Sequence, residues 1–373
     1  MSRLLHVAAV DFTGVKLLGP QLEALTRQGF DVRLACGRTD EAHWAALKPF
    51  RPADIAFPRK SSPRATLIAL ARLWRLVRQW RPDVLHLHTP AASLPVRLLP
   101  RIVWPSDPRI VYTVHGYLHP WPPRTRVDRV VQQVERLEAR WTDMMLFQSE
   151  EDLCESQSRR YATRMAYLGN GVEDAWFNLQ PPRRHGAWLR VLYVGRLVRE
   201  KGVLDLVRAL RGLPGVRLEL VGAALPSDRD PIEQELNVLL ADPDLAGRVL
   251  RLGSVDKDRV RQSCAEADVI CLPSYREGVP RSVIEGLAAG RPAVVTDIRG
   301  CRELVKDGVN GFLFTAGDIT ALRDRLAALA VMKATRFGAL SAAARSSADP
   351  RWREQAVFER LIAAYAELGV QAR

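Results

Sequence analysis

From Leu4 to Phe314 the chain alternates short apolar runs, rich in β-branched residues, with stretches of helical periodicity. That alternation restricts the possible folds more than any other feature. Strands joined through helices run parallel, and parallel sheets carry helices on both faces. Strands buried on both sides read as continuous apolar runs instead of alternating ones. A first series comprises Leu4–Val10, Asp31–Cys36, Val84–His88, Ile110–Val114 and Met144–Gln148. A second comprises Leu189–Val194, Arg217–Val221, Val249–Leu252, Val269–Leu272, Ala293–Thr296 and Gly311–Phe314. Helical segments such as Gly202–Arg211, Pro231–Leu240 and Asp258–Ala267 fall between them. The break near Asn178–Ala187, N-L-Q-P-P-R-R-H-G-A, has the composition of a linker. Two doubly wound domains are therefore expected, facing across a cleft at the carboxyl ends of their strands, where such sheets bind ligands.

The length of 373 residues suits two domains at roughly 150 residues each. A composition 47% hydrophobic and 26% charged excludes disorder, collagen and a polytopic membrane protein. No run reaches the roughly 18 apolar residues of a spanning helix. The first apolar stretch breaks at Asp11 and reads as a buried strand, not a secretory leader. Cys36, Cys154, Cys264, Cys271 and Cys301 are odd in number, widely spaced and without a C-x-x-C pair. They suit a reducing cytoplasm and argue against a disulfide framework or a structural zinc site.

The densest chemical signal runs from Pro273 to Glu285, P-S-Y-R-E-G-V-P-R-S-V-I-E, between a strand and a helix. Gly278 permits close approach of backbone to ligand, and Pro280 suits a first helical turn. The free amides of a helix start favour an anion. Glu277 and Glu285 beside that start can accept hydrogen bonds from sugar hydroxyls. Before it, Val194-Gly195-Arg196-Leu197-Val198-Arg199-Glu200-Lys201-Gly202 follows the first strand of the second series. Arg196 and Lys201, on either side of a strand-to-helix turn, can converge on a diphosphate, one as a fork and one as a point charge.

The Pro273–Val294 run resembles the signature of glycosyltransferase family 4, retaining enzymes of the GT-B fold with a Glu-x7-Glu element. Gly286-Leu287-Ala288-Ala289-Gly290-Arg291-Pro292 and Val294-Val295-Thr296-Asp297 fit as well. The resemblance covers most of the chain and is strongest over 189–315. It implies an α/β GT-B architecture with a donor domain at 179–351. The acceptor domain would be 1–178, joined by a final helix, Trp352–Leu368, that returns to it, giving 1–178 plus 352–373. Glu277 would contact the donor hexose, Glu285 the nucleotide ribose, and Arg196 and Lys201 the diphosphate, with Gly278, Val279 and Pro280 lining the donor site. His115, in Thr113-Val114-His115-Gly116-Tyr117, would lie near the reacting carbon as a catalytic residue with Glu277.

The family usually carries paired glycines after the opening strand. Here Asp11-Phe12-Thr13-Gly14 offers only Gly14, so Thr13 and Gly14 stand between a phosphate contact and a simple turn. His88, at a strand end, is assigned with these two to phosphate or acceptor contact. His86 and His88 share a strand face, a potential metal pair without an obvious third ligand. Asp228-Arg229-Asp230 mimics an acidic metal motif of another glycosyltransferase fold but reads as surface. No metal or other cofactor is expected. Asn170-Gly171-Val172 reads as a turn near a hinge. Thr296-Asp297-Ile298-Arg299-Gly300-Cys301-Arg302-Glu303 resembles the subgroup that assembles capsular polysaccharides and lipid-linked oligosaccharides.

Charge points to the acceptor. The chain has 55 basic against 42 acidic side chains, a net +13, and between Ile55 and Val127 twelve Arg or Lys face only Asp83 and Asp107. Within Arg64–Arg81 a cationic face of Arg72, Arg75 and Arg78 recurs beside Leu70, Leu73, Trp74, Val77 and Trp80. Such a helix either lies on an anionic membrane or covers a sheet with an Arg-rich outer face. No nucleic-acid motif accompanies it. The expected activity is transfer of a hexose from a nucleotide sugar, a UDP-sugar by family habit, to a lipid-linked saccharide at the inner face of the membrane. A small soluble acceptor and a non-catalytic nucleotide-sugar-binding protein remain alternatives.

Overall fold

The apolar runs resolve into two parallel sheets in a computed structural model, which describes all residues except 59–61, 118, 120–122, 163, 183–186, 225–229, 231, 349 and 373. The first sheet contains β1 (Arg3–Val10), β2 (Asp31–Gly37), β3 (Ala53–Asp54), β4 (Val84–Leu87), β5 (Arg109–Val114), β6 (Met144–Phe147) and β7 (Met165–Tyr167). Its order is β3-β2-β1-β4-β5-β6-β7, parallel throughout. The second contains β8 (Leu189–Val194), β9 (Val216–Val221), β10 (Val249–Gly253), β11 (Val269–Leu272), β12 (Ala293–Thr296) and β13 (Gly311–Phe314). Its order is β10-β9-β8-β11-β12-β13. In both, the chain starts in the middle, winds outward, returns and winds the other way. The order reverses between β1 and β4 and between β8 and β11, the switch points where doubly wound sheets take ligands. The α/β reading thus holds. The two strands the sequence did not disclose, β3 and β7, are two- and three-residue pieces at sheet edges, too short to carry a periodicity.

The first unit comprises Met1–Gly169 and Phe358–Arg373, the second Asn170–Val357. The boundary therefore precedes the expected linker, part of which (183–186) lies outside the described residues. The reason is packing. Trp176 and Phe177, on the short helix Asp174–Phe177, and Trp352 all belong to the core of the second unit. Val172 also bridges to Arg353 there. The final helix spans Glu354–Glu367, close to expectation, and from Phe358 onward belongs to the first unit.

The helix Pro63–Trp80 buries Ala69, Leu73 and Val77 in the first core. Its apolar face is therefore taken by the sheet, which corrects the picture of a helix offering that face to a bilayer. What it leaves outward is Arg64, Arg72, Arg75 and Arg78 with Leu67 and Ile68. Among the described residues no single helix is long and apolar enough to cross a membrane.

Candidate functional site

In the second unit, β11 ends at Leu272 and the chain turns through Pro273–Val279 into the helix Arg281–Ala288. Hydrogen bonds from three directions hold this turn. The Thr296 hydroxyl, ending β12, donates to the Ser274 carbonyl at 2.5 Å. The Tyr275 amide donates to the Glu200 carbonyl at 2.8 Å. The Asn170 side chain donates to the Val279 carbonyl at 2.9 Å. Two glycines set how closely the loops pack. At Gly300 (φ 78°) a Cβ would stand 1.3 Å from the Gly278 oxygen; at Gly202 (φ 67°), 2.0 Å from the Pro273 oxygen. Gly300 thus lets its own loop pack directly against the Gly278 backbone. Pro280 is the N-cap of the helix instead of part of its first turn, and no side chain caps the helix, so its first amides retain their donor capacity. Val279 is buried and offers only backbone.

Lys201 Nζ lies 2.7 Å from Glu277 Oε1, and the Ser274 hydroxyl donates to the same oxygen at 2.6 Å. Both ions are largely enclosed, Glu277 at 8% and Lys201 at 17% exposed. Glu277 Oε2 has no hydrogen bond among the described residues. Arg196 pairs with Glu200 at 3.2 Å, and the buried Tyr193 phenol, which donates to the Arg196 carbonyl, feels the charges of both Arg196 and Glu277. Arg196, Lys201 and Glu277 are thus brought together around the β8–β11 switch point. Arg199 pairs outward with Asp230 and Glu235; Asp228 and Arg229 lie outside the described residues.

Glu285 does not share partners with Glu277. It pairs with Arg281 at 3.3 Å, and Arg281 also reaches Glu354 at 3.0 Å. Burial pushes the Glu285 carboxyl up to about 7, against the opposing pull of Arg281 and Lys257. Near neutrality this group is poised between carboxylate and acid, able to accept from or donate to a hydroxyl.

The first unit gathers polar groups of another kind. His6 on β1 stands in register with His86 on β4, and His88 and His115 follow at strand ends. His6 Nδ1 lies 3.0 Å from His88 Nε2, and His88 Nδ1 lies 3.2 Å from His115 Nε2. His86 uses both nitrogens, with the Tyr365 hydroxyl at 2.6 Å and the Thr113 hydroxyl at 2.7 Å. Burial lowers every one of these imidazoles: His6 to about 3 and His115, partly offset by the Gln148 side chain, to about 4. His86 and His88 fall well below the usual value, further lowered by the neighbouring imidazoles. The strand-face pair thus acquires the third imidazole, His6, that the sequence did not reveal. Yet His86 has no nitrogen left for an ion. His88 is fully buried, so it stands behind His115 instead of lining a surface.

Thr13 and Gly14 are not in a loop. A helical turn begins at Asp11 and continues through Gly14–Leu18 into the helix Gly19–Arg27. The buried Asp11 carboxylate holds the β2 exit, accepting from the Thr39 and Asp40 amides at 2.7 and 2.9 Å. Gly14 has helical φ, and a Cβ there would stand 2.7 Å from Leu34 Cδ2. Its smallness serves helix-on-sheet packing.

Comparison with known proteins agrees with this geometry. The Glycosyltransferase Family 4 pattern matches residues 21–176, and the Glycosyl transferases group 1 pattern matches 189–331. EpsD of Bacillus subtilis (strain 168) is 25% identical over 342 residues, 87% of this chain and 86% of EpsD. The UDP-Gal:alpha-D-GlcNAc-diphosphoundecaprenol alpha-1,3-galactosyltransferase of Escherichia coli is 25% identical over 349 residues, 87% of each chain. Among solved structures, Anabaena HepE in complex with UDP-glucose has a TM-score of 0.76 at 19% identity, covering 98% of this chain and 100% of HepE. Fold, paired domains and signature loop define a glycosyltransferase of the GT-B class. The chain belongs to glycosyltransferase family 4, its second half carrying the group 1 domain.

Proposed function

We propose that this glycosyltransferase moves a hexose from a UDP-sugar to a hydroxyl of a lipid-diphosphate-linked saccharide, with retention of anomeric configuration. The second unit binds the donor and the first the acceptor. The observation that carries the reading is the Lys201–Glu277–Ser274 cluster beside an uncapped helix start. Lys201 and Arg196 offset charge on the departing diphosphate, an electrostatic contribution of several kcal/mol in such chemistry. Those two cations make a metal unnecessary. Glu277 turns its unoccupied Oε2 to a hexose hydroxyl, while Glu285, poised near neutrality, takes the ribose. Gly278, Val279 and Pro280 contribute backbone alone.

The family resemblance favours attack of the acceptor hydroxyl from the leaving-group side, its proton passing to a donor phosphate oxygen as the sugar–phosphate bond breaks. His115 acts as a hydrogen-bond donor to the sugar or the leaving phosphate.

Acceptor class is supported by the E. coli relative, whose name specifies a diphosphoundecaprenol substrate, and by the basic surface of the first unit. Exposed Arg64, Arg72, Arg75 and Arg78 adjoin exposed Leu67 and Ile68. Trp74 ties this helix to Val103, beside the 89%-exposed Ile102. Basic and apolar groups together suit an anionic bilayer at its cytoplasmic face.

The test is incubation of the full chain with labelled UDP- and GDP-sugars and polyprenyl-diphosphate-linked saccharides. Label from a UDP-sugar is expected in the organic phase, with an α-linked product from an α-linked donor by NMR. Label entering only water-soluble product, or an inverted linkage, would contradict the reading.

A further inference from the structure

The helix Arg126–Ala139 is built the wrong way round for a helix in water. It buries Gln132, Glu135 and Glu138 with Ala139, and leaves Val127, Val130 and Leu137 exposed at 70%, 62% and 40%. A surface helix ordinarily turns its apolar stripe to the core and its charges outward. Here the two inward acids close on the fully buried Arg97, at 3.1 Å from Glu135 and 3.0 Å from Glu138. Val131 and Val134 stay half-buried at the sides. An enclosed ion cluster of this kind is commonly no more stable than an apolar replacement. Stability alone therefore does not account for acids inside and valines outside.

What the inversion leaves outside is cationic and aliphatic. Arg126, Arg129, Arg136 and Arg140 are exposed beside the three apolar side chains, and no acid of the helix is exposed with them. Asp128 is engaged at the helix start, where its carboxylate accepts from the Arg124 and Thr125 amides at 3.0 and 2.8 Å. The surface continues beyond this helix. Pro63–Trp80, Pro90–Arg97 and Arg126–Ala139 cover the same face of the first sheet, giving Leu73, Val96 and Ala139 to one core. Among the described residues, nine of the fifteen exposed large apolar side chains lie between Leu67 and Leu137, about a fifth of the chain. Apolar side chains gathered at that density mark an interaction surface.

We propose that Arg126–Ala139 is a bilayer-docking helix. Val127, Val130 and Leu137 enter the boundary between headgroups and acyl chains of an anionic membrane, and the four arginines pair with lipid phosphates. Charge selects this occupant over a second copy of the chain. A two-fold pairing sets a patch against itself, which here would bring arginine against arginine. The form of the patch points the same way. Its aliphatic side chains stand apart on three neighbouring helices and on the Arg101–Val103 turn, where Ile102 projects. A fluid lipid surface adapts to each of them separately. The inference rests on the membrane reading proposed above, which used the helix Pro63–Trp80, and adds a second helix whose exposed valines no sheet covers.

The test is flotation of the full-length chain with vesicles of phosphatidylglycerol and phosphatidylcholine, and with phosphatidylcholine alone, at low and moderate salt. Binding to the anionic vesicles is expected. Val127→Ser with Val130→Ser should weaken it about tenfold, from the apolar groups withdrawn from the bilayer, and by the same factor at both salt concentrations. Arg129→Gln with Arg136→Gln should weaken it roughly fivefold per charge at low salt and less as salt rises. All four side chains are exposed, so circular dichroism should not change. Anionic-vesicle binding indifferent to the valine pair, equal binding to neutral vesicles, or a lipid-free dimer that the valine pair dissolves would each overturn the inference. Transfer to a polyprenyl-diphosphate-linked saccharide is assayed separately. Docking through this helix by a chain that performs no such transfer refutes the proposed function and leaves the surface standing. Transfer by a chain whose vesicle binding ignores the valines refutes the surface alone.

Discussion

The two sheets share a strand order, and polar side chains collect where that order reverses, yet the two collections are opposites. Between β1 and β4 stand imidazoles that are buried, neutral and bonded to one another. Around β8 and β11 stand ions in pairs, the largely enclosed Lys201 with Glu277 and the more open Arg196 with Glu200. Burying a charge is costly unless it is paired, whereas a neutral ring needs only a hydrogen bond. The first unit therefore keeps its polar seam by discharging it, and the second keeps charge by pairing it.

The harshest way to break the second arrangement is through its backbone. Gly300→Ala would drive a Cβ into the Gly278 carbonyl at a left-handed residue, where strain alone costs about 1–3 kcal/mol. The loop must move, and transfer activity should fall by about 100-fold or more, while circular dichroism shows the sheets intact. Equal activity would mean the loop has slack that its packing does not suggest.

Acidification separates the units by sign. The first-unit imidazoles titrate below 6.5 when folded, so the unfolded chain binds protons first as pH falls through 6.5. Their contribution is whole above that value and drains away downward, to about 4 for His115 and about 3 for His6. Each ring removes about 1.4 kcal/mol per pH unit within its window. Glu285 runs the other way, with a folded value of about 7 against 4.5. Its contribution is whole below 4.5 and is lost as pH rises through 7. Between pH 7 and 5.5, segment-resolved hydrogen exchange, corrected for intrinsic rates, should show the β1–β4 region loosening while the Arg281–Ala288 helix tightens. Parallel changes in both would show that these groups do not govern the pH response.

The smallest effect is expected at the surface. Arg72→Glu with Arg75→Glu should weaken binding to anionic vesicles by roughly fivefold per removed basic charge at low salt. Turnover of a detergent-soluble acceptor should be unchanged.

Much of this contrast was visible in the sequence, and unevenly. The second unit's site lies in two contiguous stretches, Gly195–Gly202 and Pro273–Glu285, so spacing together with the family resemblance of the whole block singled out Arg196, Lys201, Glu277 and Glu285. Pairing of Lys201 with Glu277 across 76 positions was not visible, nor was the Asn170 clamp on Val279, which looked like a hinge turn. In the first unit the alternation of His86 and His88 showed a shared face. His6 and Tyr365 join them only through sheet pairing and chain return, separations no local pattern encodes. The Asp11–Gly14 segment misled because a glycine after a strand ordinarily signals a turn. Here it answers the crowding of Leu34 and Leu47. The helix Pro63–Trp80 was legible as amphipathic, but amphipathicity does not say whether a sheet or a bilayer covers the apolar side.

The central claim is that the ion pair beside the uncapped helix grips an activated sugar. The most direct measurement compares turnover of a panel of nucleotide sugars by the native chain and by Glu277→Gln, which keeps the size of the side chain and removes its charge. At least one donor should be consumed by the native chain, and its kcat should drop by about 100- to 1000-fold in the variant, with nucleoside diphosphate binding retained. Undiminished kcat in Glu277→Gln would contradict the account.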